Sequence, residues 1–213
     1  MSLLKSPSKI RILLVDDHFV VRAGLAASLS LEADLVIVAE AGNGADGIAA
    51  YREHRPDLVI MDWRLPDMTG VQVTAALRGE TPPPRVLMLS AYEGEEDVYS
   101  AVHAGAAGYL SKAARLTEVL EAIHAVHRGE SYFPAAMNAK LIARLQRPEL
   151  STRERDVLSN IAKGQSNKQI ATELGISDET VKQHVAALMG KLQADNRAHA
   201  ASLAIQRGIL HLE

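Results

Sequence analysis

Four short apolar runs dictate how the first half of this chain can fold: Ile12-Leu13-Leu14-Val15, Leu58-Val59-Ile60-Met61, Val86-Leu87-Met88-Leu89 and Ala107-Gly108-Tyr109-Leu110. They are too short for buried helices and lack the alternation of half-exposed strands. Stretches of helical pattern separate them. Runs of this kind are strands buried on both faces of a parallel sheet. Reactive groups follow each one: Asp16-Asp17, Asp62, Ser90 and, after Ser111, Lys112. In an open parallel sheet the functional crevice lies at the carboxyl ends of the strands, near the topological switch point. Three carboxylates, a hydroxyl and an ammonium are therefore expected to meet in one pocket.

The pattern predicts strands near 10–15, 35–40, 57–61, 85–90 and 107–110, and helices near 19–30, 43–53, 70–78, 94–104 and 116–128. Arg55-Pro56 and Pro82-Pro83-Pro84 stop helices before the third and fourth strands, because proline lacks a donor and clashes with the preceding turn. Five such units predict a doubly wound, five-stranded parallel sheet of flavodoxin-like form, in strand order 2-1-3-4-5. Beyond it, Met137, Leu141, Ile142 and Leu145 have helical spacing, and Pro148 closes a connecting helix. The rest reads as four helices, near 152–163, 167–174, 178–192 and 197–207. The fold class is thus α/β plus all-α. The expected divisions are 10–128 for the sheet domain, 129–149 for the linker and 150–213 for a four-helix domain.

The 213-residue chain has no cysteine, which excludes disulfides and thiolate metal sites. No run reaches the ~18 apolar residues of a membrane span. The segment 1–9 is short and polar, unlike a signal peptide. A cytoplasmic protein without membrane contact is expected. The net charge of −3 gives no global nucleic-acid signature; residues 148–213 carry 8 basic and 8 acidic side chains.

Clustered Asp16, Asp17 and Asp62 would repel one another unless a cation intervenes, and Mg²⁺ suits an all-oxygen donor set. Asp62 is then a candidate nucleophile for an acyl phosphate, Lys112 a point charge for the phosphoryl group, and Ser90 a hydrogen-bond donor to it. Aspartates at strand ends can also simply cap the next helix. His18 has no second histidine at ligand spacing and reads as a helix-start residue. Trp63, the only tryptophan, is expected to pack beside the pocket.

Val15-Asp16-Asp17-His18, Met61-Asp62-Trp63-Arg64-Leu65-Pro66-Asp67-Met68-Thr69-Gly70, Leu89-Ser90-Ala91 and Gly108-Tyr109-Leu110-Ser111-Lys112 resemble the receiver domain of bacterial two-component response regulators. The resemblance implies Asp62 as phosphoacceptor and Asp16 and Asp17 as the acidic pair. It implies Mg²⁺ held by Asp17, Asp62 and the backbone carbonyl of Arg64. It also implies Ser90 and Lys112 as phosphoryl ligands, and Tyr109 as a switch aromatic that turns inward when Ser90 moves. Lys112-Ala113 departs from the common Lys-Pro or Lys-Asp step, which bears on the following loop. Arg64 and Tyr92, two residues beyond Asp62 and Ser90, can overhang an acyl phosphate and hinder attacking water.

In the C-terminal part, residues 167–177 and 178–192 read as helix, glycine-bearing turn, helix, the layout whose second helix can enter a major groove. Val181, Val185, Leu188 and Leu192 make its buried stripe, which leaves Lys182, Gln183 and Ala186 outward, with Thr180 and His184 on a flanking face. A helical bundle for protein contacts fits this periodicity too. Leu150-Ser151-Thr152-Arg153-Glu154, Gly164-Gln165-Ser166-Asn167-Lys168-Gln169-Ile170-Ala171 and Thr180-Val181-Lys182-Gln183-His184-Val185 are similar to the LuxR-type DNA-binding domain. Together with a receiver, this resembles the NarL/FixJ class. It implies a sensor histidine kinase as donor, double-stranded DNA as target and a homodimer when phosphorylated. Lys182 and Gln183 would reach base edges; Lys168, Thr180 and His184 would touch phosphates. Gly190 in a helix interior costs about 1 kcal/mol against alanine, so fraying is expected there. The enzymatic alternative, a Mg²⁺-dependent phosphohydrolase with an aspartyl nucleophile, usually needs a general acid where this chain has Arg64.

Overall fold

The computed structural model describes residues 9–211. These fall into two compact units, one running to Tyr92 and resuming over Val98–Asn138, the other made of Glu93–Asp97 with Ala139 onward.

The first unit is built on a five-stranded parallel sheet: β1 (Ile10–Val15), β2 (Leu35–Ala41), β3 (Leu58–Asp62), β4 (Val86–Ser90) and β5 (Gly108–Ser111). The order is β2-β1-β3-β4-β5, as the alternating pattern predicts. The central strands are buried on both faces, which is why their sequences are continuously apolar. Helices α1 (Phe19–Leu29), α2 (Gly44–His54), α3 (Gly70–Leu77), α4 (Glu95–Ala104) and α5 (Leu116–His127) alternate with the strands. On one face Ile12, Leu14, Ile60, Leu87, Leu89 and Leu110 pack with Leu29 of α1 and Val119, Ile123 and Val126 of α5. On the other, Val15 meets Gly47 of α2, and Met88 meets Thr74 of α3. Arg55 ends α2 in the left-handed region at φ 44°, just before Pro56. Expected and observed boundaries differ by at most one residue.

Past α5 the chain makes a single-residue parallel bridge: Tyr132 pairs with Gly108 at the outer edge of β5. Its N–H donates to the Ala107 carbonyl at 2.9 Å, and its carbonyl accepts from Tyr109 N–H at 3.0 Å. A Cβ on Gly108 would stand 3.0 Å from that carbonyl oxygen, so the close approach uses the missing side chain. Helix α6 (Ala135–Leu145) follows.

The second unit holds α7 (Thr152–Ala162), α8 (Asn167–Leu174), α9 (Asp178–Leu192) and α10 (Arg197–Gln206). Their shared core is Val157, Leu158, Ile161, Ile170, Val181, Leu188, Leu192, Ala200 and Ala204. The Ser151–Glu154 capping box forms as expected, and a second, Ser166–Gln169, starts α8. Glu154 is buried and also receives the Lys191 ammonium at 2.7 Å. Gly175 supplies the left-handed cap, φ 64°, that turns α8 into α9. Helix α9 runs to Leu192, where Gln193 in the left-handed conformation returns its N–H to the Gly190 carbonyl.

Candidate functional site

The parallel register aligns the strand ends. Val15 pairs with Met61, Asp62 with Leu89, and Ser90 with Ser111. Asp16, Asp62, Ser90 and Lys112 are thereby brought to one edge of the sheet by backbone pairing alone. Lys112 Nζ lies 2.8 Å from Asp16 Oδ2 and 2.8 Å from Asp62 Oδ2. Its backbone N–H donates to the Ser90 carbonyl at 2.8 Å, fixing the stem of the lysine to the end of β4.

Asp62 is 4% exposed. Burial holds its carboxyl above the usual carboxylate range; Lys112 pulls it down and the neighbouring Asp16 pushes it further up. Burial also pulls Lys112 down, but hydrogen bonds from its ammonium to Asp16 and Asp62 outweigh this and raise its pKa. A buried carboxylate held against ionisation and a second one beside it fit a site that receives a cation and an incoming electrophile. Asp17 is more exposed, with Oδ1 2.6 Å from His18 Nδ1. One potential ligand atom from each of Asp16, Asp17, His18 and Asp62 lies within 4.8 Å of all the others. The donor set therefore fits a divalent cation.

The loop after Asp62 is pinned tightly. Gly70 N–H donates to the Trp63 carbonyl at 2.8 Å, and a Cβ on Gly70 would sit 1.9 Å from the Asp62 carbonyl oxygen. Arg64 and Thr69 form an antiparallel bridge across this loop. Asp67, which the sequence did not single out, accepts from the N–H groups of Gly44 and Ala45 at 2.8 and 2.9 Å and ties the loop to α2.

Arg64 Nη1 donates to the Tyr92 hydroxyl at 3.1 Å, and the Trp63 and Tyr92 rings lie 5.3 Å apart, so Trp63 packs beside the pocket as expected. Ser90 is fully buried, its Oγ accepting the Tyr92 N–H at 2.9 Å. Tyr109 is 0% exposed, its hydroxyl donating to the Tyr92 carbonyl.

In α9, Lys182, Gln183 and Ala186 are exposed, and Thr180 and His184 are half-buried beside them. Lys168, in α8, is exposed as well. Lys182 is not a free cation. Its ammonium stands 3.1 Å from Asp178 Oδ2 and 3.5 Å from Glu179 Oε2, and the Asp178 hydrogen bond above all raises its pKa. The i,i+4 spacing of Asp178 and Lys182 was the available signal for that pair. The Thr180 hydroxyl is engaged with the capping Ser177 Oγ at 2.8 Å.

Comparison with known proteins agrees with both halves. Residues 12–124 match the response regulator receiver domain, and residues 148–204 match the bacterial regulatory proteins of the luxR family. The chain is 38% identical over 210 residues to the probable transcriptional regulatory protein NarL of Mycobacterium tuberculosis, covering 96% of this chain and 97% of that one. It is 35% identical over 206 residues to the response regulator protein VraR of Staphylococcus aureus, covering 94% and 99%. Among solved structures, the response regulator ChrA of a heme-sensing two-component system matches with a TM-score of 0.58 at 36% identity, over 95% of this chain and 100% of that chain. RcsB of Salmonella enterica serovar Typhimurium bound to promoter DNA, at 20% identity over 94% and 100% of the two chains, shares the fold with a TM-score of 0.71. The relatives are transcription regulators rather than phosphohydrolases. The chain belongs to the two-component response regulators that join a receiver domain to a LuxR-type DNA-binding domain, and it is a DNA-binding regulator of transcription.

Proposed function

We propose that Asp62 accepts a phosphoryl group from a sensor histidine kinase and that this switches the DNA-binding activity of the chain. The observation that carries the reading is the Lys112 ammonium held 2.8 Å from both Asp16 and Asp62. In the transfer, an Asp62 carboxylate oxygen attacks phosphorus, the bond from phosphorus to the kinase histidine nitrogen breaks, and the nitrogen keeps the electron pair. Lys112 follows the charge onto the phosphoryl oxygens, and the Ser90 hydroxyl donates to one of them. Asp17, Asp62 and the Arg64 carbonyl, with Asp16 completing the acidic pair, would hold Mg²⁺. That ion supplies neutralisation of the phosphoryl oxygens.

The new dianion draws the Ser90 hydroxyl toward itself as a donor while Tyr92 N–H donates to the same oxygen, so the bonds linking Ser90, Tyr92 and Tyr109 are the element it biases. The active form is a homodimer on two half-sites, matching protein two-fold symmetry to DNA symmetry. Lys182 and Gln183 read base edges; Lys168, Thr180 and His184 meet phosphates. The working division is receiver 10–128, linker 129–149 and DNA-binding domain 150–213. A kinase donor and a chromosomal target place this work in the cytoplasm.

Incubating the full chain with acetyl phosphate and Mg²⁺ should add one phosphoryl group by intact mass, and Asp62→Asn should abolish it. Equal labelling of that variant would remove Asp62 from its role.

A further inference from the structure

We infer that Arg22 is a positioning residue for the acidic pair: from α1 it holds the turn that carries Asp16 and Asp17, and so sets how tightly the pocket takes its cation. The inference rests on reading the pocket as a divalent-cation site.

Asp16 and Asp17 lie on the short turn between β1 and α1. The usual device for fixing such a turn is absent. His18 is the N-cap of α1, and its side chain makes no capping hydrogen bond. Arg22, about one helical turn further on, closes the turn instead. Its Nη1 donates to the Asp16 carbonyl oxygen at 2.5 Å, and its Nε stands 3.3 Å from Glu40 Oε2 on β2. The Asp16 N–H in turn donates to the Ala41 carbonyl at 3.1 Å. Both backbone polar groups of Asp16 are therefore held, one by β2 and the other by Arg22.

This guanidinium is not on a solvated face. The Arg22 side chain is 16% exposed, and its Cζ lies 5.8 Å from the centroid of the Phe19 ring. Arg22, Asp16 and Asp62 line one small cavity. A cation withdrawn from water needs partners, and here they are one carboxylate and one carbonyl.

The charge of Arg22 and its geometry act on a bound cation with opposite signs. As a charge it opposes Mg²⁺, so its removal should tighten binding. As a tether it keeps two like carboxylates aimed at one point, and outer partners that orient metal ligands are typically worth about 10–100-fold in affinity. Glu40 already offsets the charge, whereas nothing else holds the Asp16 carbonyl among the described bonds, so the tether is the larger effect.

Arg22→Met keeps the apolar stem and removes both donors. Mg²⁺ titration of the full chain, followed by emission of Trp63, the only tryptophan and the residue after Asp62, should show about tenfold weaker binding. Arg22→Lys keeps the charge but offers one ammonium in place of a fork, so it should weaken Mg²⁺ as well, by less. A side chain that only supports folding would lower the urea midpoint and leave the Mg²⁺ affinity as it was. Wild-type or tighter Mg²⁺ binding by either folded variant overturns the inference. A wild type that does not bind Mg²⁺ removes the cation site itself, and the role of Arg22 with it.

Discussion

The Tyr109 hydroxyl donates a hydrogen bond to the Tyr92 carbonyl oxygen at 2.5 Å, joining β5 to the residue that itself donates to Ser90. One buried phenol thus holds the loop that carries a pocket residue. Tyr109→Phe keeps the packing and leaves that carbonyl without its donor. The receiver should lose about 1–2 kcal/mol in urea unfolding. Phosphorylation by acetyl phosphate should also become less effective in promoting DNA binding. Unchanged stability would mean the hydroxyl bond is replaced by solvent.

Asp62 gives a pH signature. Its folded pKa is raised, mainly by burial, so the folded state holds this proton more tightly than the unfolded chain. Stability from this group is complete below the unfolded carboxylate pKa of about 3.9 and is lost as pH rises through the folded value. In metal-free buffer Asp62→Asn should therefore be more stable than wild type at neutral pH, and the advantage should vanish near pH ~4. Urea midpoints of the two proteins across this range test the sign. An advantage that grew on acidification would contradict it.

Arg64 and Tyr92 reach across the pocket to each other at 3.1 Å. They lie two residues past Asp62 and Ser90, where, on the proposed phosphorylation of Asp62, they would screen the acyl phosphate from water. Arg64→Ala and Tyr92→Ala should each shorten the lifetime of the phosphorylated form, by about tenfold, equivalent to about 1.4 kcal/mol in the hydrolysis barrier. Because the two side chains touch, the double variant should lose less than the sum. Loss of label with time, followed by intact mass, gives all four rates.

On the DNA-binding side, Lys182→Ala should relax sequence preference at one position per half-site, since a lysine on guanine is worth ~1–3 kcal/mol of discrimination. Its present partners, Asp178 and Glu179, must be exchanged for the base, so the lower end of that range is expected. Lys168→Ala should weaken all duplexes alike and flatten the salt dependence by about one unit of slope. Titrations on matched and scrambled duplexes at two salt concentrations distinguish them. Equal loss on both duplexes for Lys182→Ala would move that residue to the phosphate set.

The sheet and its pocket were legible because the same short apolar runs that create buried strands also place Asp62, Ser90 and Lys112 at their ends. Strand order followed from connection rules, and the register then aligned the groups. Three features were beyond such reading. Tyr109's orientation is set by an acceptor on another strand's loop, which no local pattern encodes. The Tyr132 bridge involves one residue and so has no period. The ring of His18 lies against Asp17 while its backbone N–H bonds to Asp16, contacts that no spacing along the chain encodes. Gly190 lies inside α9 despite its low helix propensity, between Leu188 and Leu192 in the core and just before the Gln193 cap.

The bridge between Tyr132 and Gly108 bears on solubility. A parallel sheet ends in strands whose outward N–H and C=O groups invite pairing with other chains, and proteins blunt such edges with short strands or by covering them. β5 is four residues long, and Tyr132 takes up the Tyr109 N–H and the Ala107 carbonyl on its open side. A receiver cut back to residue 128 would bare that margin. Such a truncation should be prone to self-association through β5, whereas one ending after Phe133 should remain monodisperse in the absence of phosphodonor.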